Sequence, residues 1–90
     1  MNVRLGVMAP TTDPILEQLR QRVSEGIEGA VVIASAGSPG HYRLEVTAEA
    51  FRGLSRVQAQ RLVYRCIAPL MSGHAAPVHA VDALVTRTPT

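Results

Sequence analysis

The chain has no tryptophan, one phenylalanine and one cysteine in 90 residues, and all nine of its cationic side chains are arginine. Each scarcity excludes something. With aromatics at 3%, the core has to be built from Val, Leu, Ile and Ala, and platforms for stacking nucleobases are few. A single cysteine cannot form an internal disulfide and suits a reducing compartment. No segment approaches the ~18 consecutive apolar residues of a membrane helix, and no charged-then-apolar leader opens the sequence. Hydrophobic residues at 47% and charged residues at 18% are enough for collapse, so the chain is not disordered by composition. The expectation is one soluble cytoplasmic domain over residues 13–90, preceded by a loose arm over 1–12.

Charge is uneven. Residues 1–50 carry four Arg against six acids, for −2, and residues 51–90 carry five Arg against one acid, for +4. The excess is concentrated at Arg52, Arg56, Arg61 and Arg65. Such a stretch is either a solvated helix face or an attractor for phosphate.

Asp13 stands where a helix N-cap belongs, with Pro14 behind it and Glu17 in the first turn. Ile15, Leu16, Leu19 and Val23 then recur at helical spacing, which predicts a helix over about 14–25 that stops at Gly26. The run Ala30-Val31-Val32-Ile33-Ala34 is short and β-branched and predicts a strand buried on both faces. After the turn residues Ala36 to Gly40, Tyr42, Leu44 and Val46 alternate with Arg43, Glu45 and Thr47, which predicts a second strand paired to the first in a hairpin. One helical turn over 47–51 closes at Gly53. Ser55 and Gln58 form a capping box, and Ala59, Leu62, Val63, Cys66, Ile67 and Leu70 give the strongest helical stripe in the chain. Pro69 should kink or end that helix. A third strand runs from Val78 to about Arg87. The order αββααβ, with helices on one face of a three-stranded sheet, is α+β.

Few residues carry chemistry. His41 opens the second strand and His79 the third, so neighbouring strand ends would bring two imidazoles, each a potential ligand for Zn, Fe or Cu, to one edge of the sheet. His74 falls in a loop and reads as solvated. Cys66 lies on the apolar stripe and reads as core. No Ser-His-Asp order, HExxH, CxxC or phosphate loop is present, which argues against an enzyme. The two Gly-x-x-Gly segments, 26–29 and 37–40, join helix to strand and strand to strand, so they read as turns and not as a backbone clamp between helices.

The pattern as a whole resembles the BolA family. His41-Tyr42, Phe51-Arg52-Gly53-Leu54-Ser55-Arg56-Val57, Arg61-Leu62-Val63-Tyr64, Val78-His79-Ala80-Val81 and Thr88-Pro89 follow its pattern SHF…FxGxSxVxRHRxVY…IHALxIxAxTP over residues 13–89. The middle block is nearer the IbaG-like branch. The resemblance implies a class II KH-like fold and a non-enzymatic partner of a monothiol glutaredoxin. The two proteins would share a glutathione-dependent [2Fe–2S] cluster, with none expected in the isolated chain. It also implies that His79 is an iron ligand. The family's second ligand, His or Cys, comes from the loop between the first two strands, where this sequence offers only His41.

Three departures matter. Gln58-Ala59-Gln60-Arg61 replaces the basic triplet, which weakens the alternative of a nucleic-acid-binding transcriptional regulator using Arg52, Arg56, Arg61 and Arg65. Between His79 and Thr88-Pro89 the sequence is one residue longer than the pattern, which predicts a β-bulge near Asp82-Ala83. The family segment beyond Thr-Pro, which contributes to partner contacts, does not follow here. A second copy of the chain and DNA are the other partners the sequence admits; a membrane is not.

Overall fold

The computed structural model describes residues 13–90, so the arm expected over 1–12 lies outside the described residues. Helix α1 (Pro14–Gly26) begins where Asp13 Oδ1 accepts from the Ile15 amide at 2.9 Å. Strands β1 (Val31–Ala36) and β2 (His41–Thr47) follow, then a single 3₁₀ turn at Glu49–Phe51, helix α2 (Arg56–Met71) and strand β3 (Ala80–Arg87). The fold is α+β, in the expected order.

The capping box at the start of α2 is complete. Ser55 Oγ accepts from the Gln58 amide at 3.1 Å, and Gln58 Oε1 accepts from the Ser55 amide at 2.9 Å. Two orphan donors of the first turn are thereby satisfied. Pro69 sits inside α2, which runs on to Met71. So close to the C-terminus the ring removes one donor, to the Arg65 carbonyl, without stopping the helix.

The sheet order is β1-β2-β3, with β1 antiparallel and β3 parallel to the central β2. Tyr42, Leu44 and Val46 of β2 are buried together with Leu19 and Val23 of α1 and Ala59, Val63, Ile67 and Leu70 of α2. Each fully buried Leu, Ile or Val in such a core stabilises by about 1.5–3 kcal/mol. The core therefore lies between the helices and one face of the sheet.

That layering corrects the reading of β1. Val31 and Ile33 are 62% and 61% exposed, so the strand is not buried on both faces. Helices cover only one side of the sheet, and β1 is an edge. Its alternate residues Val32 and Ala34 pack on the core, while Val31 and Ile33 share the open face with Glu45 and Thr47, their partners on β2.

The predicted bulge is present. Tyr42 pairs with Val81 and Arg43 with Ala83, so Asp82 has no counterpart on β2. Strand β3 starts at Ala80, two residues later than expected. Val78 is nevertheless buried, its amide donating to the Leu70 carbonyl at 3.0 Å.

Candidate metal centre

Parallel pairing sets His41 opposite Ala80, so His41 and His79 stand at the same end of adjacent strands. The four-residue turn Gly37–Gly40 fixes this end. The His41 amide donates to the Ser38 carbonyl at 2.9 Å, and the Gly37 amide donates back to the His41 carbonyl at 2.8 Å. The Gly40 carbonyl then accepts from both His79 (2.8 Å) and Ala80 (3.1 Å), tying the start of β3 to the turn.

Gly40 has a double reason to be glycine. Its φ is +81°, and a Cβ there would stand 2.9 Å from Cγ and 3.0 Å from Nδ1 of His79. The exposed imidazole of His79 is thus placed by a glycine backbone packed beneath it. Sequence reasoning saw Gly40 only as a turn residue, because the contact depends on strand pairing.

His41 is held differently. Its Nδ1 donates to Asp82 Oδ1 at 3.0 Å, between side chains 39% and 52% exposed. Asp82 is the residue that the bulge leaves over, and the one-residue excess was its only signal in the sequence. Tyr42, next along the strand, points the opposite way. It is 3% exposed, and its hydroxyl donates to Asp13 Oδ2 at 2.7 Å. Burial, and then the bond to the Asp13 carboxylate, push the phenol up to about 12.

The remaining candidates are elsewhere. His74 is exposed in the loop after α2. Cys66 is only partly buried, against the core edge, and its Sγ donates to the Leu62 carbonyl at 3.2 Å. Burial raises its thiol above the usual range, with Arg65 pulling the other way, which is the reverse of an activated nucleophile. A Cβ on Gly26 would come within 2.5 Å of this sulfur, so that glycine serves close contact between α1 and α2. The arginines do not converge. Arg52 is paired with Glu49 and donates to the Pro89 carbonyl at 3.0 Å. Arg56 borders a groove of about 330 Å³ with Gln60 and residues 84–87. Arg61 lies about 140° around the helix from Arg56 at 3.6 residues per turn, with Arg65 one turn further on.

Among the described residues, no three of His, Cys, Asp and Glu lie close enough together to hold a metal ion. Two imidazoles at one sheet end, with no thiolate beside them, fit part of the ligand set of a shared iron–sulfur cluster and not the whole of it. Among the same residues, no helix is long and apolar enough to cross a membrane.

The BolA-like protein family matches residues 21–90. The chain belongs to that family. "BolA-like protein 1" of Pongo abelii is 33% identical over 89 residues, covering 93% of this chain and 62% of the relative. The chain thus spans less than two thirds of that relative's length. Among solved structures, a BolA homologue from Coxiella burnetii is 27% identical, with a TM-score of 0.67, over 81% of this chain and 88% of its own. The BolA domain of SufE1 from Arabidopsis thaliana shares the fold at a TM-score of 0.71 and 21% identity, over 88% and 96% of the two chains.

Proposed function

We propose that this BolA-like protein is a non-enzymatic partner of a monothiol glutaredoxin. It would share a glutathione-dependent [2Fe–2S] cluster with it, in iron–sulfur trafficking or iron regulation. His79 is the first ligand and His41 the second. The observation that supports this reading is the position of the two histidines at the same end of the adjacent strands β2 and β3, with an exposed His79 ring seated on Gly40. Two imidazoles leave half of a four-ligand set to be supplied, and thiolates from the partner and from glutathione are the chemically matched source. The nucleic-acid alternative has less behind it. One of its four arginines is neutralised by Glu49, and the others are divided between different sides of α2.

The test is anaerobic titration of a cluster-loaded monothiol glutaredoxin, with glutathione, followed by visible circular dichroism. A new spectrum saturating near one equivalent is expected, and His79→Ala should abolish it while leaving the far-ultraviolet spectrum intact. A wild-type titration with no spectral change, or a His79→Ala titration matching wild type, sinks the reading.

A further inference from the structure

The bulge in β3 delivers a carboxylate to His41. With Tyr42 opposite Val81 and Arg43 opposite Ala83, Asp82 is the surplus residue. Bulges are uncommon between parallel strands, and they typically re-aim a side chain. Here the re-aimed side chain reaches His41 Nδ1 at 3.0 Å, across 41 positions of sequence. An ionised carboxylate can only accept a hydrogen bond, so the hydrogen sits on Nδ1 and the neutral ring keeps a bare lone pair on Nε2. A free histidine side chain favours the opposite tautomer. Both groups are about half exposed, and a bond so placed adds little to fold stability.

We propose that Asp82 is a positioning residue for His41. It locks the ring and its tautomer so that Nε2 is presented outward as a ligand. This rests on the reading of His41 as a cluster ligand and gives it a physical cause. Metal-bound imidazoles commonly donate their second N–H to a carboxylate, which orients the ring and raises its basicity as a ligand. The two histidines are then set by separate devices: His79 by a glycine backbone, His41 by an inserted carboxylate.

The experiment compares wild type, Asp82→Ala and Asp82→Asn in two measurements. Nitrogen-15 NMR of the isolated protein reads the tautomer of the neutral His41 ring. The dichroism titration with cluster-loaded glutaredoxin and glutathione reads ligation. Wild type should hold the hydrogen on Nδ1 and Asp82→Ala should move it to Nε2. Asp82→Asn, whose Oδ1 still accepts, should retain the wild-type tautomer. Affinity for the loaded glutaredoxin should fall about 10–100-fold in Asp82→Ala, as for other outer-shell partners, and less in Asp82→Asn. An unmoved tautomer in Asp82→Ala, or a titration superimposable on wild type, overturns the role of Asp82 alone. A wild-type titration without a new spectrum overturns the ligand reading, and the role of Asp82 with it, whatever the tautomer.

Discussion

His41 and Tyr42 are consecutive residues of β2, and each is held by an aspartate far away in sequence. Tyr42 points into the core and donates to Asp13, 29 residues back; His41 points out and donates to Asp82, 41 residues ahead. The two bonds are alike in length and opposite in consequence. The phenol is buried, and its only proton is committed to the carboxylate that also caps α1. It welds the first helix to the central strand. The imidazole is half exposed and keeps a second ring nitrogen free. A buried hydroxyl whose one proton is committed serves the fold; an exposed ring that keeps a lone pair over has a ligand atom to offer, which is what the proposed role of His41 requires.

The strongest way to break the site side of this comparison is at Gly40. Gly40→Ala imposes a left-handed φ on a residue with a Cβ, at about 1–2 kcal/mol, and drives that Cβ toward the His79 ring. Together with the overpacking, we expect destabilisation by about 2–3 kcal/mol in urea unfolding. His79 ring resonances should shift more than those of any other side chain. A neutral result would mean that the His79 ring is not seated on Gly40.

Tyr42→Phe tests the structural side. Losing the hydroxyl should cost about 1.5–2 kcal/mol, the lower part of the range for a hydrogen bond to a charged acceptor, because Asp13 is only partly buried and keeps its bond to the Ile15 amide. It should also remove a specific pH dependence. The folded protein holds the phenol's proton to about pH 12, whereas the unfolded chain releases it near 10. Between those values the unfolded state binds fewer protons, so stability falls as pH rises from 10 to 12 and is fully present below 10. Tyr42→Phe should lack that alkaline step. If wild type and variant lose stability in parallel over this range, Tyr42 is not the group responsible.

Neither bond was legible in the sequence, although the elements that carry them were. The Asp13 cap, the Ser55–Gln58 box, the stripe on α2 and the alternation on β2 are local patterns, so spacing of three, four or two residues revealed them. The bulge was legible too, as one residue more than the BolA pattern has between His79 and Thr88. The partners were not. Asp13 to Tyr42 depends on how α1 lies on the sheet, and Asp82 to His41 depends on the parallel register. Burial of β1 misled for the same reason: a continuous apolar run fits a strand covered on both faces, and only the placement of both helices on one side exposes Val31 and Ile33. Cys66 was placed on the right stripe but lies at its rim, where Gly26 makes room for the sulfur.

The smallest expected effect sharpens the comparison most. Asp82→Ala removes a bond as short as many buried ones, yet both partners are solvated, and exposed pairs of this kind contribute about 0–1 kcal/mol. Urea unfolding should therefore place it within about 0.5 kcal/mol of wild type, well short of Tyr42→Phe. The alkaline step should remain unchanged, because Tyr42 and Asp13 are untouched on the other face of the strand. A loss as large as that of Tyr42→Phe would mean that the bulge is a structural joint and that the two aspartates do the same work. A loss near zero, with the His41 ring altered, would mean that the chain keeps an extra residue in a parallel strand for what it does to one imidazole.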